Sequence, residues 1–108
     1  MAMYIDEDLD KAFRALGDKT RRSILSMLQE GSEETATVFF DAFDSAQPTI
    51  SKHIKTLENA KLINRRVEGR QHYFQANLLM LKQLGDWVQR HQLLWSGSLD
   101  RLEDYLDE

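Results

Sequence analysis

The sequence predicts a mostly α-helical domain that carries one β-hairpin and ends in a long amphipathic helix. Three observations predict it. Apolar residues recur at three- and four-residue intervals through most of the chain, the pattern of helices with one buried face. The interval drops to two only between Leu62 and Gln75. Gly17, Gly31, the polar break Asp44-Ser45-Ala46 and Glu68-Gly69 separate these segments where the chain must change direction. At 108 residues, 42% hydrophobic and 30% charged, the chain is one ordinary globular domain spanning 1–108, with no internal repeat or low-complexity linker.

Leu9, Ala12, Phe13 and Leu16 form one face of a first helix whose opening turn is acidic, as the helix dipole favours. Gly17 ends it, and Asp18 is placed to cap a second helix with Ile24, Leu25 and Leu28 inside, which stops at Glu30-Gly31. Ser32 to Glu34 reads as a polar connector. Thr35, Val38, Phe39, Ala42 and Phe43 repeat the helical spacing, giving a short third helix over 36–43. A fourth follows the break, with Pro48 in its first turn, where a missing N–H is harmless. Its inward face is Ile50, Ile54 and Leu57. The runs Leu62–Val67 and Arg70–Gln75 flank Glu68-Gly69 and predict a hairpin turning there. From Asn77 to Leu106 the chain is helical again, with a bend or break at Ser96-Gly97-Ser98.

Charge is segregated along this order. Gln47 to Tyr73 holds six cations and two anions, so it is plus 4 within a chain of net charge −4. The acids gather at Asp6, Glu7, Asp8 and Asp10, and again from Asp100 to Glu108. A basic middle between acidic flanks suits a module that meets nucleic acid on one face only. The third and fourth helices, joined by a few polar residues, have the layout of a helix-turn-helix DNA reader, with the hairpin as a basic wing. On the outward arc of the fourth helix, Gln47, Thr49, Ser51, Lys52, Lys55 and Thr56 are side chains suited to base edges and phosphates. Arg70, at the tip, leads the wing candidates, followed by Arg66 and Gln71, with Arg65 also considered; these three rank below it because alternate strand residues face inward. Thr20 and Arg22 are further phosphate candidates, whereas Arg21 is expected to pair with an interior carboxylate. His53, at the edge of the buried face, is expected to be structural or to touch phosphate.

The runs Ala15-Leu16-Gly17-Asp18-Lys19-Thr20-Arg21-Arg22-Ser23-Ile24-Leu25, Gln47-Pro48-Thr49-Ile50-Ser51-Lys52-His53-Ile54-Lys55-Thr56-Leu57-Glu58 and Gly69-Arg70-Gln71-His72-Tyr73-Phe74 resemble those of bacterial ArsR-type winged-helix repressors. The likeness covers nearly the whole chain, and the tail with Trp87, Trp95 and Leu99 to Leu106 is similar to a metal-independent branch of the family. The resemblance implies a homodimeric repressor bound to an operator that overlaps a promoter. Two departures bear on sensing. Arsenic-, cadmium- and lead-sensing members place a Cys pair on the third helix, where this chain reads Thr37-Val38-Phe39-Phe40-Asp41 and has no Cys anywhere. Members that sense zinc through the last helix use closely spaced Asp and His plus a second His and Glu, whereas this helix offers only Asp86 and His91. No metal site and no cofactor are therefore expected. Lys19 replaces a usual Pro, and Ala46 replaces a usual capping Ser, which leaves the fourth helix capped by Ser45 or weakly capped.

The stripe on the last helix is long for so small a core. Leu9 and Phe13, with Leu84, Trp87, Val88, His91, Trp95, Leu99, Leu102 and Tyr105, are expected to form a dimer interface. The dimerisation segments are then about 1–17 and 77–108, and 18–76 carry the helix-turn-helix and wing. His91, in mid-stripe, would make that interface sensitive to pH near 6 if its protonation loosened what it packs against.

The expected partners are a palindromic double-stranded operator and a second copy of the chain, in the cytoplasm, with any small-molecule effector undefined. The start of the chain lacks the basic-then-apolar pattern of a signal peptide, and no apolar run suits a membrane. The competing reading is a winged-helix module for protein interaction, with weak non-specific DNA binding and Phe40 among its apolar anchors. Catalysis is disfavoured: there is no Cys, no phosphate-binding Gly loop and no His-x-x-x-His pair.

Overall fold

The computed structural model describes residues 3–107. Met1, Ala2 and Glu108, which the expected dimerisation segments include, lie outside the described residues. Six helices and one hairpin follow in the order α1 (Asp6–Ala15), α2 (Lys19–Met27), α3 (Ala36–Ala42), α4 (Gln47–Asn59), β1 (Ile63–Glu68), β2 (Gln71–Ala76), α5 (Leu78–Leu94) and α6 (Ser96–Leu106). No helix among the described residues is long and apolar enough to cross a membrane.

The core lies where α1 to α4 meet the base of the hairpin and the start of α5. Ile24, Phe39, Ile50, Leu57, Leu62 and Met80 are fully buried there, and Phe74 stands 6.2 Å from Phe39. Ala12 and Ala15, rather than the larger Phe13, form the deepest part of α1, because the helices approach closely enough for only a methyl group to fit. Asp18 caps α2 as its sequence position predicts, its carboxylate accepting the Arg21 N–H at 3.0 Å.

The strands pair antiparallel from Ile63 opposite Ala76 to Glu68 opposite Gln71. The turn residues are thus Gly69-Arg70, one position beyond the predicted Glu68-Gly69. Gly69 has φ +61° while Arg70 does not enter the left-handed region. A positive φ at only the first central residue is the pattern of a type II′ hairpin turn, which calls for Gly there. The connector before α3 is also more than a linker. Glu34 exchanges two backbone hydrogen bonds with Phe74, at 2.8 and 3.0 Å, and so adds a one-residue bridge to the sheet.

Three further expectations are corrected. α2 ends at Met27, short of Glu30-Gly31, and a tight turn closed by Ser32 N–H to the Gln29 carbonyl takes up the difference. Val38 and Ala42 are exposed, because α3 is too short to turn more than Phe39 fully inward. The last helix breaks at Trp95, and Ser96-Gly97-Ser98 form the first turn of α6 instead of the gap. Small polar residues suit a helix start as well as a bend, so composition alone could not distinguish them.

Candidate nucleic-acid interface

The recognition candidate is α4, which the four residues Phe43 to Ala46 separate from α3. Ile50, Ile54 and Leu57 anchor it in the core, which turns Gln47, Thr49, Ser51, Lys52, Lys55 and Thr56 to the outside. Its N-cap is Ala46, with no side-chain cap, so neither Ser45 nor any other side chain closes that end. In that first turn Pro48 has no N–H and Thr49 N–H is bonded to the Ala46 carbonyl at 3.0 Å, so the Gln47 N–H is the one left for a phosphate to accept from. Thr56 donates its hydroxyl to the Lys52 carbonyl at 2.9 Å and so has its proton engaged.

Besides the shared core at its base, the wing is tied to α4 by the Arg65 side chain. Arg65 makes two hydrogen bonds to the Glu58 carboxylate, at 2.6 and 3.1 Å, and donates to His72 Nδ1 at 3.1 Å. Its guanidinium also lies 5.1 Å from the centre of the Phe74 ring. Arg65 is therefore a positioning group, and it consumes the acid on α4 that would otherwise repel DNA. Arg66 is likewise occupied. It pairs with Glu33 at 2.9 Å and Glu68 at 2.7 Å, over the Tyr73 ring, and these carboxylates push its pKa further above the usual arginine value. A cation so neutralised is a weaker phosphate contact than the sequence suggested. Arg70 sits at the exposed tip, and among the described residues Lys52, Lys55 and Arg70 form no ion pair. Gln71 is exposed beside the tip.

At the start of α2, Arg22 donates to the Leu16 carbonyl at 2.8 Å, and Thr20 is half-buried. Arg21 does not find the interior carboxylate expected for it. Its Nε donates to the Ala15 carbonyl at 2.6 Å and its Nη1 meets His53 Nδ1 at 3.3 Å. His53 is thus half-buried and bonded within the fold, with the Asp18 carboxylate 3.9 Å away.

A second surface runs along α1, α5 and α6. Phe13 meets Trp87 edge-on at 5.5 Å, and His91 stacks on Trp87 at 3.9 Å while its Nδ1–H donates to the Trp87 carbonyl. Leu9 and Phe13 line an open cavity of about 510 Å³ with Asp6, Asp10 and Trp87. Val88, Trp95, Leu99, Leu102 and Tyr105 continue the apolar strip in the open, Trp95 at 62% and Tyr105 at 73% exposure. Leu84 departs from the expected set, because at 5% exposure it is spent in the protomer's own core.

A general helix-turn-helix domain family matches residues 16–66, the span from the end of α1 to the first wing strand. The transcriptional repressor SdpR of Bacillus subtilis is 31% identical over 74% of this chain and 88% of its own length. A crystal structure of an ArsR family transcriptional regulator is 33% identical, superposes with a TM-score of 0.75, and shares 89% of this chain and 97% of that one. The chain belongs to the ArsR family. It is accordingly a DNA-binding transcriptional repressor of the winged-helix type. A homodimeric winged helix-turn-helix DNA-binding domain from Mycobacterium bovis shares the fold at 21% identity, with a TM-score of 0.62 over 89% of this chain and 95% of that one. In this winged helix-turn-helix fold α4 is the second helix of the helix-turn-helix and β1–β2 the wing.

Sequence reasoning did not find the Arg65–Glu58 clamp or the Glu34 bridge. Both join residues whose proximity depends on how the hairpin folds back onto α4. The only trace in the sequence was an acid on an otherwise basic helix.

Proposed function

We propose that this ArsR-family chain is a homodimeric cytoplasmic repressor that binds an inverted-repeat operator through α4 and the wing tip. The observation that carries it is the distribution of unneutralised charge. Lys52 and Lys55 on the exposed arc of α4, and Arg70 at the tip, are unpaired among the described residues, while the nearby acids Glu58, Glu33 and Glu68 are bound to Arg65 and Arg66. Such an arrangement attracts a polyanion to one face of an acidic molecule. The N-terminal half of α4 enters the major groove, where Gln47, Thr49, Ser51 and Lys52 meet base edges, and His53 and Thr20 stay structural. Two-fold symmetry, with recognition helices about 34 Å apart, matches an inverted repeat.

The second copy covers the strip from Phe13 through Trp87 to Tyr105, which supplies the aromatic anchors a stable interface uses. Any signal reaches this repressor without thiolate coordination. No Cys is present, Asp86 is paired with Lys82 at 3.0 Å, and His91 Nδ1 is spent on the Trp87 carbonyl. The protein-interaction reading loses an anchor, because Phe40 is half-buried against the core.

Selection from a random-sequence duplex pool at about 150 mM salt, a typical physiological ionic strength, tests the proposal without a guess at the operator. The wild type should enrich an inverted repeat, and the Lys52→Ala, Arg70→Ala double variant should enrich none. Failure of the wild type to enrich any sequence would overturn specific operator binding.

A further inference from the structure

We propose that the cleft between α1, α2 and α4 is a binding site for a small anion bearing a phosphate group. The cleft has a volume of about 300 Å³ and is lined by Lys11, Arg14 and Arg21, with Thr56 and Asn59 opposite them and no carboxylate in its wall. That volume is at the small end of the ligand-pocket range of about 300–1,000 Å³. It admits a compact metabolite or a single backbone phosphate with its sugar. The hollow exists because its floor is Ala15 and Ala60, both buried, where longer side chains would fill it.

The charge in the cleft has no internal explanation in ion pairs. Lys11 and Arg14 follow the acidic opening of α1, with Glu7 and Asp10 one turn before them, yet neither reaches a carboxylate within 4 Å among the described residues. Three of the acids of α1 are turned or paired away from the cleft, and Glu7 does not line it. Asp8 pairs with Lys61 at 3.0 Å, and Asp6 and Asp10 line the cavity beside Trp87, on the opposite side of α1. Asp18 lies nearby, but it accepts the Arg21 backbone N–H and does not line the cleft. The ends of α1 and α4 add partial negative charge from their last carbonyls, and Arg21 answers this directly through its bond to the Ala15 carbonyl. Lys11 and Arg14 make no such bond among the described residues. Lys11 and Arg14, unpaired among the described residues, Arg21 held between Ala15 and His53, and the donor amide of Asn59 form a cradle suited to a phosphate, with Thr56, its proton engaged on the Lys52 carbonyl, as part of the wall.

Its position gives the occupant a lever. Thr56 and Asn59 belong to the C-terminal half of α4, about 10–15 Å along the helix from Thr49, at 1.5 Å per residue. The other face of α1 carries Leu9 and Phe13 toward Trp87. A phosphate drawing α1 toward α4 therefore acts on the recognition helix and on the aromatic strip together.

The test has two arms, both on the full chain. In the first, inorganic phosphate is titrated into DNA-free protein and backbone amides are followed by nitrogen-edited NMR. Saturable shifts should centre on Lys11, Arg14, Thr56 and Asn59. They should be lost in a Lys11→Gln, Arg14→Gln variant and kept in Lys52→Ala. Since Lys11 and Arg14 are exposed, the double variant should keep the wild-type spectrum elsewhere, and each single variant should weaken binding several-fold. Shifts that do not saturate, that persist in the double variant, or that are as large around Lys52 and Lys55, overturn the site. The second arm measures duplex affinity against salt concentration and identifies the source of the phosphate. A slope shallower by about 0.9 for each DNA phosphate that the double variant no longer neutralises assigns the site to the DNA backbone. An unchanged slope, with the first arm positive, assigns it to a free anion. The first arm contains no DNA, so its failure is independent of any failure to select an operator.

Discussion

Asn77 shows how much one residue holds in this fold. Among the described residues it is the polar side chain buried in the core, at 8% exposure, and each of its polar atoms is used. Its Nδ2 donates to the Tyr4 hydroxyl and to the Lys61 carbonyl, both at 2.7 Å, while Oδ1 caps α5 by accepting from the Met80 N–H at 3.4 Å. Lys61 is the non-glycine residue with a left-handed backbone, φ 61°, so the sharp turn from α4 into the wing rests on that amide. Asn77→Ala removes a helix cap and orphans a carbonyl, and we expect a loss of about 1–3 kcal/mol by urea unfolding. A change below about 0.5 kcal/mol, the size of an ordinary surface substitution, would refute this role. Acid stability has a residue-scale origin as well. The Arg21 N–H donated to Asp18 holds that carboxyl below its usual 3.8, and the Lys61 ammonium does the same for Asp8. A carboxyl whose pKa is lower folded than unfolded stabilises the fold above the unfolded value, and that contribution is lost as pH falls through the folded one. Asp18→Asn should therefore flatten the stability curve below about pH 4, the range of an unperturbed Asp, and an unchanged acid limb would contradict this origin.

Among the elements, α4 is where local propensity and function diverge. It has a buried face of three large aliphatics and Pro48 in its first turn, yet its N-cap is Ala46, among the poorest residues for that position. Ala46→Ser should stabilise the protein by about 0.5–1 kcal/mol, within the range measured for such caps. Calorimetry would detect it, and no rise in melting temperature would mean that the bond from Thr49 N–H to the Ala46 carbonyl already satisfies that end. The helices were legible in the sequence because Leu9 with Ala12, and Ile50 with Ile54 and Leu57, state their period without ambiguity. The hairpin was legible to within one residue. Elements were misread where length, and not pattern, decides. α3 has the spacing of a helix with one buried face but only seven residues with which to bury it, and the Trp95 break leaves no mark stronger than the Ser-Gly-Ser beside it. On the candidate interface, exposure followed from periodicity, whereas the neutralisation of Arg65 and Arg66 did not. Which carboxylate a cation meets depends on the tertiary approach of wing to helix.

The whole molecule is more extended than a self-sufficient domain of this length. Its radius of gyration is 16.8 Å and its longest dimension 54 Å, against a radius of about 13 Å for a compact chain of 100 residues. The excess comes from α5 and α6, which run out from the core with Leu93, Leu94, Trp95, Leu102, Tyr105 and Leu106 at least half exposed and no buried residue in α6. An apolar strip of this extent normally marks an interaction surface. The same strip holds both tryptophans of the chain, Trp87 and Trp95. Dimerisation through it should therefore be visible in intrinsic fluorescence. Dilution of the wild type below its dimer dissociation constant should shift the emission to the red as both indoles meet water, in step with a halving of mass by sedimentation. Leu102→Asp should remain monomeric at micromolar concentration, since an unpaired carboxylate buried in an apolar contact is strongly unfavourable. It should bind a single half-site as the wild type does while losing the added affinity for the full inverted repeat, because only a dimer gains the effective concentration of a second linked module. A wild type that is monomeric at micromolar concentration, or a Leu102→Asp variant that keeps full-repeat affinity, would place the dimer contact elsewhere and leave the strip for a different partner.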